Sequence, residues 1–361
     1  MSHPARYSPP SPSARARRSA LIALFLLMFG AIFSAGLAAF GAREVSEKGP
    51  ELAEELGVPH PAVIAHRGAS WDAPESTRPA FELARAVGAD YLEADIQRTA
   101  DGELVVFHDA TLERTTNVVD IFPDRADDPV AEFTLEELEQ LDHGSWFNEA
   151  FPFRARPSFE GLGPLTLEEL IEIAEEGAHK PGLYLETKLA PRYPGIEEEI
   201  IETLEAAGWL PEGPGPENEI VPESDDLVTV AFGDAPVKIQ SFHSTSVEQV
   251  AALSDDVIPV LLVNRGMALR GGFGRQLRIA SRIGARAVAP NASLASARRI
   301  SRAHRRGLLT HHYTVNDPDD MLALLSAGSD GIFTDRAPLA LEKFERGPEV
   351  DVSAVLAVLG Y

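Results

Sequence analysis

Short apolar segments alternate with longer amphipathic segments along residues 61–345. The short segments are rich in β-branched and aromatic residues, as in strands, and the longer ones carry apolar residues three and four positions apart, as in helices that pack on a core. The predicted strands lie at 62–66, 91–97, 183–188, 237–242, 257–263, 285–290, 309–315 and 331–334. Because strands and helices alternate, the pattern predicts an α/β fold, and eight strands predict a closed (β/α)8 TIM barrel.

The predicted helices lie at 78–87, 166–176, 196–207, 245–252, 274–283, 294–306 and 318–327. The segment 110–163 interrupts this rhythm, since it is long for a barrel connection and contains a helical stretch at 134–141 and several aromatic residues. Long ordered connections of this kind tend to be functional, so we expect an insert that packs over one end of the barrel. Residues 266–274 contain several glycines and are predicted to form a loop.

One apolar segment, 104–108, does not fit a parallel barrel. It follows the second predicted strand after only a few residues that include Asp101 and Gly102. A parallel crossover needs about a dozen residues or more, whereas an Asp-Gly pair favours a tight turn. The segment is therefore predicted to fold back as an antiparallel hairpin, which would bring His108 opposite or nearly opposite Asp95.

The N-terminus has a different composition from the rest of the chain. Its first residues are basic, with arginines at positions 6, 15, 17 and 18, and an uncharged apolar run follows at 20–42. As a helix this run is long enough to cross the roughly 30 Å hydrocarbon layer of a bilayer. Small residues near its end could instead serve as a signal-peptidase site. Either alternative would place the rest of the chain outside the cell, at the cell membrane or secreted.

These patterns divide the chain into four parts. Residues 1–43 are the basic region with a transmembrane anchor or signal peptide, and 44–60 form an acidic connector. The barrel domain is expected at 61–345, with 346–361 as a C-terminal extension.

Composition narrows the choice of partner. The formal net charge is -24, and DNA or RNA would require clustered Lys and Arg to displace counterions, so a nucleic acid is not expected to bind. The absence of cysteine excludes disulfides and thiolate metal sites. With a hydrophobic fraction of 44%, the chain has ample material for a large core.

Paired carboxylates provide the first chemical signal. Glu93 and Asp95 are two positions apart on a predicted strand, so their side chains should share a face. Two buried carboxylates repel one another and require a cation, and oxygen ligands suit Mg²⁺ or Ca²⁺. Glu186 and Lys188 share a face of the third barrel strand in the same way. Glu186 can complete a three-carboxylate metal site, while Lys188 adds positive charge for a phosphate.

Two histidines provide the second signal. His66 ends the first predicted strand and precedes Arg67, whose planar fork suits a phosphate, and the hairpin brings His108 beside Asp95. Two histidines near a divalent cation can act as base and acid in displacement at phosphorus. Three further residues are predicted to bind the substrate: Glu75, Tyr313 as an aromatic wall and Asn316 as a polar contact. The histidines at 243, 311 and 312 are predicted to be structural or to lie on the surface.

Together the motifs resemble those of the glycerophosphodiester phosphodiesterase family. The resemblance covers 63–338, and its residues include His66-Arg67-Gly68, Pro74-Glu75-Ser76-Thr77, Leu92-Glu93-Ala94-Asp95, Phe107-His108-Asp109 and Glu186-Thr187-Lys188. It implies a barrel that binds a metal through Glu93, Asp95 and Glu186, catalysis by His66 and His108, and phosphate contacts from Arg67 and Lys188. Ser76, Ala94, Thr187 and Tyr313 depart from the residues usual in the family.

The expected reaction is metal-dependent hydrolysis of a glycerophosphodiester to glycerol 3-phosphate and an alcohol. His66 would act as base and His108 as acid, and the nucleophile would be either a neighbouring hydroxyl of the substrate or a water molecule. Two other functions stay open: phospholipase D-like cleavage of intact lipids or lysolipids, and a non-catalytic barrel that binds phospholipid headgroups.

Overall fold

The computed structural model describes residues 48–211 and 237–361. The β-strands are β1 (Ala62–His66), β2 (Tyr91–Arg98), β3 (Leu104–Val106), β4 (Gly182–Thr187), β5 (Val237–Ser241), β6 (Ile258–Val263), β7 (Ala287–Pro290), β8 (Leu309–His312) and β9 (Gly331–Thr334). The α-helices are α1 (Lys48–Glu55), α2 (Arg78–Ala86), α3 (Val118–Ile121), α4 (Leu135–Leu138), α5 (Ser145–Ala150), α6 (Leu167–Glu175), α7 (Ile196–Ala206), α8 (Ser244–Leu253), α9 (Arg265–Gly271), α10 (Phe273–Arg282), α11 (Ala297–His304), α12 (Pro318–Ser326), α13 (Ala337–Lys343) and α14 (Val352–Leu359). All eight predicted barrel strands and the seven predicted helices between them are present.

Eight parallel strands close into a barrel, which confirms the predicted architecture. Their order is β1-β9-β8-β7-β6-β5-β4-β2, and β1 pairs with β2 to complete the circle. The register places His66 beside Glu93 and Asp95 beside Glu186. Closure therefore brings the carboxyl ends of β1, β2 and β4 together at one end of the barrel.

The predicted hairpin is also confirmed. Strand β3 pairs antiparallel with the end of β2, with Ile96 opposite Val106. The amide of Phe107 donates a hydrogen bond of 2.8 Å to the carbonyl oxygen of Asp95. His108 follows directly, so the hairpin brings it to the end of the barrel where Asp95 lies.

Side-chain alternation along the strands separates two layers of core. Ile64, Tyr91 and Tyr184 belong to a buried cluster inside the barrel, whereas Val63 and Leu92 belong to the cluster between strands and helices. Because side chains alternate between faces, residues two positions further along β2 and β4 also point inward. This periodicity directs the carboxylates at the ends of those strands into the barrel.

The amino end of the barrel is closed by helix α1, in a segment that was expected to be only a connector. Ala53 and Val58 are buried against the interior cluster. A Cβ at Gly49 would lie 2.3 Å from Oδ1 of Asp330, so only glycine allows this close approach. The prediction for 44–60 missed the helix because the segment contains many charged residues and only a short row of apolar residues that become buried.

The loop predicted at 266–274 is also wrong, because Arg265–Gly271 forms helix α9. The side chain of Asn264 accepts a hydrogen bond of 2.9 Å from the amide of Met267 and thereby caps the helix. The helix ends at Gly272, whose φ is +76°. The glycines of this segment favoured a loop in the sequence-based prediction, and the capping residue Asn264 was overlooked. In the structure, Gly272 ends the helix and the other glycines do not prevent it.

The segment between β3 and α6 consists of short helices and turns. Its apolar side chains, including Phe133 and Leu138, pack against Phe107 and Val105 of the hairpin. The predicted helix at 134–141 is shorter than expected and spans Leu135–Leu138.

At the C-terminus, the Tyr361 hydroxyl donates a 2.9 Å hydrogen bond to Glu82, which attaches the last residues to helix α2.

The predicted anchor or signal segment at 20–42 lies outside the described residues. Within 48–211 and 237–361, no helix combines the length and apolarity needed to cross a bilayer.

A buried carboxylate at the amino end provides a test of stability. Asp330 accepts hydrogen bonds from Nε2 of His304 at 2.8 Å and from the amide and hydroxyl of Thr310 at 2.7 and 2.9 Å. Burial opposes ionisation, but the hydrogen bonds from His304 and His60 outweigh it and keep the pKa of Asp330 well below its ordinary value. The ionised form therefore stabilises the fold above the unfolded-state pKa, and this contribution is lost as pH falls towards the folded-state pKa.

Asp330→Asn should lower the free energy of unfolding by about 3 kcal/mol at pH 7, because it removes the charge and one acceptor oxygen of a buried, hydrogen-bonded carboxylate. The difference from wild type should shrink below about pH 4, where the unfolded carboxylate becomes protonated. Urea unfolding at several pH values measures both effects. Asp319→Asn, at an exposed position, is the control, and an equal loss in the two variants would contradict the assignment.

Candidate active site

Three carboxylates converge at the carboxyl ends of β2 and β4. Glu93, Asp95 and Glu186 are buried, and each offers an oxygen within 4.8 Å of the others. Glu93 accepts hydrogen bonds from Nε2 of Gln240 at 3.1 Å and from the amide of Arg67 at 2.9 Å. The convergence predicted from the alternation of strand residues is therefore observed.

The charge of this cluster is only partly neutralised by the protein. Nζ of Lys188 lies 3.0 Å from Asp95 and 3.2 Å from Glu186. Burial tends to raise the pKa of Asp95, but Lys188, His108 and Arg67 outweigh it and lower that pKa strongly.

Glu93 and Glu186 are affected in the opposite direction. Burial, followed by repulsion from Asp95, raises the pKa of Glu93. Burial also raises the pKa of Glu186, where Asp95 and Glu93 act against Lys188. With the protein's own cations alone, two of the three groups resist ionisation near neutral pH. Three oxygen donors with surplus negative charge fit a divalent cation such as Mg²⁺ or Ca²⁺.

His66 is oriented by a carboxylate that the sequence interpretation did not assign to the site. Its Nδ1 donates to Asp335 at 2.7 Å, which leaves Nε2 as the nitrogen available to a substrate. Burial and Arg67 lower the pKa of His66, but Asp335 and Glu93 outweigh them, so it stays above its ordinary value. Asp335 follows β9, and its place after a barrel strand was the signal that could have identified it.

Asn316 lies behind this pair. Its amide nitrogen donates to Asp335 at 2.6 Å, and its amide oxygen accepts from Thr334 at 3.1 Å. Asn316 was predicted to contact the substrate. In the structure its side chain bonds Asp335 and Thr334, which connects it to His66 through Asp335, and the contact with a substrate stays a prediction.

His108 is held in a similar way on the other side. Its Nδ1 lies 2.5 Å from Asp109, whose second oxygen accepts from Nε of Arg114 at 2.5 Å. Burial, followed by Arg67, lowers the pKa of His108 despite the nearby Asp95 and Asp109. The two histidines thus present the same ring nitrogen towards the site, but their proton affinities are shifted in opposite directions.

Arg67 and Arg114 are joined by Glu75. One oxygen of Glu75 accepts from Arg67 at 2.8 Å, and Arg114 donates to both oxygens at 2.7 and 2.8 Å. Burial would raise the pKa of Glu75, but Arg114 and Arg67 outweigh it and keep that pKa low. Glu75, predicted to bind substrate, is therefore fully engaged in orienting two guanidinium groups. The sequence interpretation did not assign Arg114 to the site.

The loop after β1 requires an unusual backbone to place these groups. Arg67 has a φ of +58° and Ser76 a φ of +60°, both in the left-handed region. Between them, Gly68 has a φ of +82°, and a Cβ there would lie 2.6 Å from the backbone of Ala80. Close contact with helix α2 therefore fixes the path by which the loop directs Arg67 across the site.

The remaining predicted residues lie around the site. Tyr313 is half-buried and makes edge contacts with Phe242 and Phe333. Burial, together with the charge of Glu186, raises the pKa of the Tyr313 hydroxyl, which is consistent with an aromatic wall facing the carboxylates. His243 is exposed and His311 and His312 are buried, as expected for surface and structural residues.

Comparison with known proteins agrees with this geometry. Residues 66–339 match the model of the glycerophosphoryl diester phosphodiesterase family. A glycerophosphodiester phosphodiesterase from Bacillus subtilis is 34% identical over 334 residues, covering 92% of this chain and 99% of that protein. A second, from Caldanaerobacter subterraneus, is 30% identical and covers 79% and 98% of the two chains.

Solved structures show the same fold. A phosphodiesterase from Oleispira antarctica, in complex with the product sn-glycerol-3-phosphate, has a TM-score of 0.58 at 25% identity and covers 79% of this chain and 97% of its own. A glycerophosphodiester phosphodiesterase from Agrobacterium tumefaciens has a TM-score of 0.56 at 22% identity, with 78% and 99% covered. The chain belongs to the glycerophosphoryl diester phosphodiesterase family and is an enzyme of that class, a glycerophosphodiester phosphodiesterase.

Proposed function

We propose that this enzyme hydrolyses water-soluble glycerophosphodiesters to sn-glycerol 3-phosphate and an alcohol in a reaction that depends on a divalent cation. The observation that carries the proposal is the pair of histidines, each backed by a carboxylate, beside three converging carboxylates at one end of the barrel. The product bound to the Oleispira antarctica relative supports the substrate class.

Glu93, Asp95 and Glu186 would hold Mg²⁺ or Ca²⁺. Such a cation supplies charge neutralisation at the phosphate and lowers the pKa of an attacking hydroxyl. Arg67 and Lys188 already lie against the same carboxylates, so they can turn part of their hydrogen-bonding capacity towards an incoming phosphate. Glu75 limits the movement of Arg67, which keeps its planar fork oriented.

The surroundings of the histidines support a division of their roles. Among the described residues, the carboxylate of Asp335 accepts side-chain hydrogen bonds from His66 and from the neutral amide of Asn316, so it can stabilise the imidazolium that forms when His66 takes the proton of the nucleophile. Asp109 shares its charge with Arg114 and holds a proton on His108 less strongly, which suits donation to the departing alcohol. The nucleophile is either a neighbouring substrate hydroxyl or water.

The direction of chain entry favours a soluble substrate over an intact membrane lipid. Helix α1, which begins at Lys48, packs at the amino end of the barrel, opposite the candidate active site. If the apolar run 20–42 is an anchor, only residues 43–47 separate it from that end. The anchor would then hold the enzyme at the outer side of the membrane without directing the site into the bilayer, and a cleaved signal would release it.

His66→Ala and His108→Ala should each lower kcat for glycerophosphocholine by about 10²- to 10⁴-fold, because each removes a group that transfers a proton. Release of glycerol 3-phosphate measures the loss, and circular dichroism checks folding. His243→Ala, an exposed histidine at the end of β5, is the matched control. Retention of more than a tenth of wild-type turnover by either variant would contradict its role.

Asp335→Asn should lower kcat by about 10³-fold with little change in KM, because the amide no longer stabilises the imidazolium of His66. Steady-state kinetics with glycerophosphocholine separate the two constants. Asp319→Asn is the control, since Asp319 is exposed on helix α12. A rise in KM at unchanged kcat would show that Asp335 contributes to binding instead.

A chelator should abolish turnover, and Mg²⁺ or Ca²⁺ should restore it. Saturating metal should also raise the melting temperature of the wild type, since a ligand present at 100 times its Kd stabilises a fold by about 2.7 kcal/mol. Glu186→Gln should lose this thermal shift, whereas Glu202→Gln, at an exposed position of helix α7, should keep it. The shift is measured by calorimetry without substrate, and an equal shift in both variants would place the metal elsewhere.

A further inference from the structure

Charge is distributed very unevenly along the chain. The net charge is -24, yet residues 257–316 contain eleven arginines and no lysine, aspartate or glutamate. All of this segment is described by the structure, and it includes helices α9, α10 and α11. Such segregation concentrates positive charge on one side of an otherwise acidic barrel.

Most of these arginines are open to solvent. The exposed members are Arg265, Arg270, Arg275, Arg278, Arg282, Arg286, Arg298, Arg299, Arg305 and Arg306, and we call them the basic face. Among the described residues, Arg286 alone of this set has a carboxylate within ion-pair distance, at 3.5 Å from Glu55. The other members therefore retain charge for an external anionic partner.

The basic face also carries apolar surface. Leu269, which lies between two of its arginines on α9, is 84% exposed. Beside it, a cavity of about 320 Å³ opens between α9 and α10, lined by residues that include Arg270, Arg275, Met267, Leu261 and Ile279. An exposed leucine and a cavity lined by both guanidinium groups and apolar side chains fit a phosphate headgroup with attached hydrocarbon.

The chain enters the fold next to the same surface. Helix α1 packs against α11, since a Cβ at Gly49 would lie 2.9 Å from His304. The ion pair between Glu55 and Arg286 joins α1 to the start of β7. The apolar run 20–42 precedes α1 by a few residues, so a membrane that receives this run lies within reach of the amino-end edge of the basic face, where Arg286 and Arg306 lie.

We propose that the basic face docks on an anionic phospholipid surface, with Leu269 inserted among the headgroups. Arginines near such a surface gain electrostatic attraction that is screened by salt, and an exposed apolar side chain adds to it. A nucleic acid fits less well, because it would leave the exposed Leu269 unused and would be repelled by the acidic remainder of the chain. Helix α9 follows the carboxyl end of β6 and helix α11 ends just before β8 begins at the amino end, so the face extends along the side of the barrel from one end to the other. The proposal does not depend on the reaction proposed above.

The chain contains no cysteine, so a single Leu269→Cys substitution in the full-length protein can carry an environment-sensitive fluorophore. The dye should report an apolar environment with vesicles of phosphatidylcholine and phosphatidylglycerol, but not with phosphatidylcholine alone. High salt should reverse the response. Because the dye reports on α9 itself, binding of the N-terminal run to either kind of vesicle does not imitate this result.

Replacing Arg270, Arg275 and Arg278 by Gln should raise the amount of anionic lipid needed for half response by about 100-fold. Arg192→Gln, an exposed arginine outside the face, should leave it unchanged. A dye at Val358→Cys, on helix α14, is the positional control, since Val358 is 89% exposed. Hydrolysis of glycerophosphocholine by the triple variant should stay at the wild-type level, which shows that it is folded.

Three results would overturn the proposal. One is an equal response to neutral and anionic vesicles, and another is an unchanged response in the triple variant. The third is displacement of the labelled protein from anionic vesicles by duplex DNA at lower concentration than by phosphatidylglycerol vesicles, which would identify a nucleic acid as the partner. A glycerophosphodiesterase without activity could still give the expected dye response, so failure of the two proposals is distinguishable.

Discussion

Three carboxylates buried within 4.8 Å of one another are the constraint around which this end of the barrel is organised. Each would be costly to ionise alone in the interior, and together they repel. Lys188 and Arg67 neutralise part of this charge, and both lower the pKa of Asp95. This leaves Glu93 and Glu186 with raised pKa values, and a divalent cation bound by the three carboxylates would supply the missing positive charge.

The same constraint explains why the cations of the site are themselves tied. Nε of Arg67 lies 3.3 Å from Asp95, while a terminal nitrogen of its guanidinium group donates to Glu75. Glu75 holds Arg67 on one side and Arg114 on the other, and Arg114 continues to Asp109 and His108. Alternating charges thus connect Arg67 with His108, and the loop after β1, with Arg67 and Ser76 at positive φ, is the backbone that this arrangement requires.

The two ends of the barrel use buried charge differently. At the amino end, His60, His304 and Thr310 all donate hydrogen bonds to Asp330, so its charge stabilises the fold. At the carboxyl end, Glu93 and Glu186 lack sufficient counter-charge, which is typical of a functional site. The arginines of α9 to α11 form a third electrostatic region on the side of the barrel, where the partner has to come from outside the molecule.

The sequence by itself determined the eight parallel strands, the hairpin and the candidate carboxylates and histidines, because strand periodicity and the carboxyl-end rule are local signals. It did not reveal that Asp335 supports His66 or that Glu75 faces two arginines, since these pairs are far apart along the chain and meet only when the barrel closes. Helices α1 and α9 were missed because a short buried face and one capping residue give weak patterns. Only the tertiary structure decided which carboxylates are left without sufficient counter-charge, since that depends on burial and on every neighbouring group at once.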